Sequence, residues 1–499
     1  MKIVIAPDSF KESLSAMAVA EAIEKGFREI YPDADYVKVP MADGGEGTVQ
    51  SMVEASGGRY VDQWVQGPLG QPVIARWGML GDSDTAVIEM AAASGLHHVS
   101  PELRNPLNTT SYGTGELIVA ALERGVKRII LGIGGSATND GGAGMMQALG
   151  VILRDKQGRS LSPGGEALAA LASIDLSGCH PLLRKVSITV ACDVNNPLCG
   201  PQGASAIFGP QKGATAEMVN SLDAALENWG RHIYQATGRE VINAPGAGAA
   251  GGMGAALLGL LNAELRAGVE IVVETLQLEQ AVKDADLVIT GEGRLDSQSI
   301  CGKTPIGVAR VAKRYHKPVI ALAGGLQHDH HVVYQQGIDA ALSILSHIVT
   351  LPEALHEAEY NLSLSARNVA AIWRLARQPD GAFPFQAAHQ RGLRLLRVFF
   401  QPVQHHIMVI AGFKIIKDVF NLTISVNQKA DAVNAVIRFA HKRLFAPDAE
   451  LFTHLMVFIG QKGKVQQLFF SETGEFFRFI GADAQHVHAC FFKLVHVIA

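Results

Sequence analysis

Five short runs of β-branched and apolar residues constrain this chain more than any other feature. They are KIVIAP from Lys2, KRIILGIGG from Lys127, SITVACD from Ser187, DLVITGEG from Asp286 and KPVIALAGG from Lys317. Each runs into glycine, aspartate or another small residue, and stretches rich in Ala, Leu and Glu with helical periodicity lie between them. Strands apolar on both faces need helices on both sides, which is the condition of a largely parallel sheet. The expected fold class is therefore α/β. In such sheets ligands bind at the carboxyl ends of the strands, where the glycine- and acid-rich loops of this chain fall. That placement favours a small-molecule enzyme before any motif is considered.

The chain has 499 residues, 48% of them apolar and 18% charged, enough for about three domains of ordinary size. A net charge of −4 offers no electrostatic footprint for nucleic acid. No stretch reaches the ~18–20 apolar residues of a membrane span, and MKIVIAPDSF meets an aspartate too early for a signal-peptide core. Cys179, Cys192, Cys199, Cys301 and Cys490 show no CxxC or Cys/His ligand spacing, which fits small core thiols in a reducing cytoplasm.

Composition breaks sharply near residue 379. Of 20 phenylalanines 17 lie after residue 380, whereas all eight tyrosines and all four tryptophans lie before it. Residues 1–379 carry 30 basic and 39 acidic side chains; residues 380–499 carry 13 and 8. A net −9 segment thus joins a net +5 segment at the turn-forming Gln378-Pro379-Asp380-Gly381. Cores and interfaces ordinarily mix the three aromatics, and phenylalanine codons are complements of lysine and glutamate codons. Residues 379–499 therefore read as a C-terminal extension from translation of an opposite strand or a shifted frame. The rival reading is an accessory module, with SVNQKADAVNAVIRFAHKRLF as a helix carrying basic residues on one side.

Two glycine motifs mislead. Gly246-Ala-Gly248-Ala-Ala-Gly251 satisfies GxGxxG but follows Pro245 and a poor strand candidate, and Gly302-Lys303-Thr304 lacks the P-loop glycine, which is Ser297 here. What remains is a set: Pro7-Asp8-Ser9-Phe10-Lys11; Asp43-Gly44-Gly45-Glu46-Gly47; and Gly134-Gly135-Ser136-Ala137-Thr138-Asn139-Asp140-Gly141-Gly142. Cys192-Asp193-Val194-Asn195-Asn196, Gly209-Pro210-Gln211-Lys212-Gly213 and Thr290-Gly291-Glu292-Gly293-Arg294-Leu295-Asp296 complete it. Glycine loops let backbone N–H groups approach phosphate oxygens. Carboxylates among them suit Mg²⁺, and Lys11, Lys212, Lys303 and Arg294 could balance anionic charge. Phosphoryl transfer needs this combination.

With these motifs, Met1 to about Gln378 resembles the bacterial glycerate kinases of the first type, which phosphorylate D-glycerate with ATP. The resemblance implies a Rossmann-like parallel-sheet domain with a second α/β domain inserted into it. The expected division is 1–66 with 279–378 for the first domain, 67–278 for the insert, and 379–499 for the extension. The enterobacterial members make 2-phosphoglycerate in glyoxylate and sugar-diacid catabolism. ATP and Mg²⁺ are the expected cofactors and D-glycerate the expected partner, with no nucleic acid and no membrane; homo-oligomerisation stays open. A non-catalytic nucleotide- or small-acid-binding regulator on the same fold is the alternative.

The catalytic candidates are Asp193, Lys11 and Arg294. Asp193 could take the glycerate hydroxyl proton, or only cap a helix through an Asx-turn. Arg294 could grip the substrate carboxylate, or merely pair with Asp296. Asp8 and Ser9 are expected at phosphate or substrate, with a capping role for the following helix as the plain alternative. Gly44, Gly45, Gly134, Gly135 and Thr138 join them as substrate- or nucleotide-binding positions. Glu292, Asp296 and Lys303 complete that group, and Asp43 and Glu46 are the metal candidates. Asp140 is expected to shape its own turn.

Overall fold

The computed structural model describes residues 1–300 and 302–377 in full and, within 378–499, the backbone of five strands. All five apolar runs are strands of parallel ladders. In chain order the strands up to residue 343 are β1 (Lys2–Ile5), β2 (Asp35–Lys38), β3 (Arg59–Gln66), β4 (Pro72–Met79), β5 (Thr85–Glu89), β6 (Arg128–Gly132) and β7 (Ile152–Asp155). They continue with β8 (Leu171–Asp175), β9 (Ser187–Ala191), β10 (Glu264–Arg266), β11 (Leu287–Leu295), β12 (Val319–Leu326) and β13 (Ala340–Ser343). One sheet, wholly parallel, has the order β13-β12-β11-β1-β2. A second has the order β10-β9-β6-β5-β4-β3, parallel from β10 to β5 and antiparallel beyond, and β7 and β8 form a small antiparallel pair of their own.

The period of two in β1 shows why the chain needs both layers. Ile3 and Ile5 pack with Val19, Ile23 and Phe27 of the helix Ala16–Arg28 and with Leu362 and Ala366 of the helix Ala358–Ala376. Val4 and Ala6 point the other way, into a core shared with Val87, Ile130 and Ala191 of the second sheet. Each such Val, Ile, Leu or Phe side chain contributes about 1.5–3 kcal/mol on burial, so the two sheets are welded through one apolar layer. A separate core around Trp77, Ile88, Leu131, Met145 and Trp229 holds the second sheet's far face.

The chain leaves the first sheet after Lys38 and returns to it at Leu287. β3 pairs with β4 from Arg59↔Met79 to Gln66↔Pro72, so the crossing comes ahead of the 66/67 cut expected from sequence. The mostly exposed pattern of RYVDQWVQ is that of an edge strand. The first helix also starts later than expected. Ser15, not Asp8 or Ser9, is its N-cap, accepting from the Ala18 N–H at 3.2 Å.

Residues 379–499 form a separate unit. Its described strands are β14 (Val419–Asn427) with β15 (Ala432–Ala440), and β16 (Leu455–Gln461), β17 (Lys464–Phe470) and β18 (Phe476–Ile480), all antiparallel. The helix read from Ser425 is thus replaced by strands where the backbone is described. The physical reason is the alternation Val433, Ala435, Ile437, Phe439, whose period is that of a strand. The reading of the remaining extension lies outside the described residues. Among the described residues no helix is long and apolar enough to cross a membrane.

Candidate active site

The strand ends deliver the carboxylates. The Asp8 backbone N–H donates to Gly291 O at 2.8 Å, binding the loop after β1 to β11. Its side chain accepts from the Thr304 hydroxyl at 2.6 Å and the Ser9 N–H at 2.6 Å. Burial, with the Asp43 charge adding to it, pushes the Asp8 carboxyl up to about 7. Asp193, in the loop after β9, accepts from the Gly268 N–H at 3.0 Å at the first turn of the helix Gly268–Thr275. It is open to solvent on its outer side, yet burial of the rest, with the charges of Asp43 and Glu270, raises it to about 6. Asp43 accepts from the Gly45 N–H at 3.1 Å. The Asp43 charge thus acts on both Asp8 and Asp193, and none of the three has an ion-pair partner among the described residues.

Gly44 is where the two sheets' loops meet. Its φ is +90°, and a Cβ there would lie 2.7 Å from Ala191 Cβ and 2.9 Å from Gly268 Cα. Any side chain would force apart the loops that carry Asp43 and Asp193. Gly45 is half-buried beside it, and Glu46 is exposed.

On the β11 side, Glu292 accepts from the Ser299 hydroxyl at 2.5 Å and lies 3.5 Å from Lys303 Nζ, and burial holds its pKa above the usual range. Arg294, 60% exposed, pairs with Asp296 at 3.0 Å. Gly134 and Gly135 are exposed at the tip of the loop after β6, and the buried Thr138 has a hydroxyl with no partner. Asp140 is wholly buried and accepts from Ser111 N–H and hydroxyl, Gly142 N–H and Gly144 N–H, so it shapes its turn. Lys11 is exposed, and Glu12 beside it takes the left-handed φ of +63°.

A cavity of about 300 Å³ opens beside Asp193, lined also by Asn195, Gly246, Arg266 and Gly302. Gly302 belongs to the loop after β11, so elements from both sheets wall it. The acids, the glycine loops and the cations thus come from the ends of strands of both sheets and the loops that follow them.

Comparison with known proteins decides the family. The pattern of the glycerate kinase family matches residues 3–374. The chain belongs to the glycerate kinase family. It is 60% identical to glycerate 2-kinase of Escherichia coli (strain K12) over 381 residues, 76% of this chain and 100% of that one. It is 59% identical to glycerate kinase of Bacillus subtilis (strain 168) over 378 residues, 76% of this chain and 99% of that one. A crystal structure from Salmonella typhimurium LT2, provisionally assigned as glycerate kinase 2, superposes with a TM-score of 0.71 at 59% identity, covering 76% of this chain and 99% of that one.

Membership of the glycerate kinase family makes this a kinase, with a nucleotide and a small molecule as its substrates. Several residues of the site were not singled out from sequence. Glu89 ends β5 and accepts from the Val49 N–H at 2.9 Å, and burial raises its pKa. The signal was there, in the run TAVIE, a sixth β-branched segment ending in an acid. Thr304 was visible only as part of a failed P-loop match. Lys212, read as a cation for anionic ligands, is instead 1% exposed. Its ammonium donates to Ser136 Oγ at 2.8 Å and Thr138 O at 2.6 Å, bracing the glycine loop from behind, and burial lowers its pKa to about 7. Arg266 had no sequence signal at all.

Proposed function

We propose that this kinase transfers the γ-phosphoryl group of ATP to D-glycerate, giving 2-phosphoglycerate, in the cleft between the two sheets. The observation that carries the reading is the convergence of Asp8, Asp43 and Asp193 on one region without paired cations, in a member of the glycerate kinase family. Two raised carboxyls that both face the Asp43 charge are unfavourable in the free protein, and a phosphoryl-transfer site offers the reason to keep them.

In this reading Asp193 is the general base. A carboxyl raised to about 6 is ionised at neutral pH yet basic enough to accept a hydroxyl proton as the P–O bond forms. Gly134 and Gly135, exposed at their loop tip, offer backbone donors to phosphate oxygens, with Gly44, Gly45 and Thr138 shaping the loops around them. Lys303, near Glu292, and the exposed Lys11 and Arg294 are the cations at the rim, with Ser9 and Asp296 at its edge. The donor set fits Mg²⁺, which needs only one or two carboxylates and takes its other ligands from water and phosphate. Asp43, next to both Asp8 and Asp193, would hold it, with Glu46 beyond; when bound, the ion neutralises phosphate charge. The cytoplasm is the proposed compartment.

A coupled ADP-release assay with D-glycerate and phosphorus NMR of the product test this. ADP formation with a single 2-phosphate resonance supports it. Binding of ATP or glycerate without turnover would instead support a regulator.

A further inference from the structure

We propose that Arg266 is the residue that holds the substrate's carboxylate and so sets specificity for an anionic acceptor. The inference rests on the glycerate reading above and names the contact that reading leaves open. A three-carbon hydroxy acid brings one negative charge into the cleft, and a carboxylate leaving water needs a cation with matching donors. Among the described residues lining the cavity with Asp193, Arg266 is the one cation. Arg294 and Lys303 do not line it.

The backbone ties Arg266 to the candidate base at two points. Its carbonyl accepts from the Cys192 N–H at 2.9 Å, and the Asp193 carboxylate accepts from the N–H of Gly268, two residues further on, at 3.0 Å. The side chain is 29% exposed. Val194, Pro245 and Leu265 share the lining, which lowers the local polarity and strengthens attraction between opposite charges. Glu274, itself 68% exposed, meets Arg266 Nη2 at 2.7 Å. A guanidinium has five N–H donors in a fork, so donors remain for a second carboxylate.

Steady-state kinetics of the full chain with ATP, Mg²⁺ and D-glycerate test the assignment. Arg266→Ala should raise the glycerate KM by about 10- to 100-fold, the size of a lost charge-assisted contact, with the ATP KM unchanged. Arg266→Lys, which keeps the charge but loses the fork, should fall between. Glu274→Gln, at an exposed position, should move the other way and lower the glycerate KM about two- to fivefold by removing a competing anion. Thermal unfolding of each variant checks folding, and Glu274→Gln keeps the test open if Arg266→Ala does not fold. Equal rises in both KM values, no change in either Arg266 variant, or a glycerate-specific rise in Arg294→Ala instead would each overturn the assignment. A wild-type chain that does not phosphorylate glycerate would overturn the functional reading as well; an active wild type with an unaltered Arg266→Ala overturns only this one.

Discussion

Asp8→Asn should make the protein more stable at pH 8 while lowering its activity. The Asp8 carboxyl is pushed from 3.8 to about 7, first by burial and then by Asp43. A folded pKa above the unfolded one means that the native chain holds the proton more tightly. Stability therefore falls as pH rises from about 4 to about 7, and the cost is fully present above 7. A shift of roughly three units at 1.36 kcal/mol each comes to about 4 kcal/mol. The Thr304 and Ser9 hydrogen bonds themselves lower the Asp8 pKa, so the three-unit shift is already net of them. The expected gain at pH 8 is about 4 kcal/mol, or roughly 5 °C in Tm for a folded unit of this size. At pH 5 less than half of the charge cost has developed, so the gain there is about 1–2 kcal/mol. Thermal unfolding followed by circular dichroism at the two pH values reads this out, with turnover measured alongside. An equal drop in Tm at both pH values would mean that ionised Asp8 stabilises the fold, and the crowding argument would fail. Stability gained with activity lost is the signature of a site kept strained for function.

Asp193→Asn should lower kcat by roughly 10²–10⁴, the range for loss of a general base, and wild-type kcat should rise with pH through about 6 as that carboxyl ionises; a folded variant with near-normal turnover would pass the role to Asp43 or Asp296. Gly44→Ala should destabilise by about 2–4 kcal/mol, because φ is +90° and the new Cβ meets Ala191 and Gly268; an unchanged denaturation midpoint would show that these loops part freely. Ending the chain after Gln378 should leave kcat and both KM values unaltered, since the family match ends at residue 374 and residues 379–499 form their own unit; lost turnover would make the extension part of the enzyme.

The sequence by itself determined what is local. Runs such as KIVIAP and DLVITGEG, apolar on both faces, can only be covered parallel strands, and the structure sets them side by side, Ile3 against Leu287. The glycines and acids just beyond them had to fall at strand ends, because a strand fixes the direction in which its loop leaves. Tertiary structure decided what meets what. Asp193 finds its donor 75 residues away at Gly268, Asp8 finds its own 296 residues away at Thr304, and neither pairing has a period or spacing that a reader could detect. Arg294 could grip a ligand or its neighbour by composition alone, and the fold puts it on Asp296, outside the cavity that Asp193 lines. Lys212 looked like a surface cation among glycines, yet the packing of its turn beneath the β6 loop buries it. Arg266 carries no motif because its place comes from register: β10 lies parallel to β9, Arg266 opposite Ala191, and that pairing brings a cation beside the loop that holds Asp193, the proposed base. Side-chain type and periodicity are written residue by residue; proximity across a crossover is a property of sheet order, which only the folded chain has.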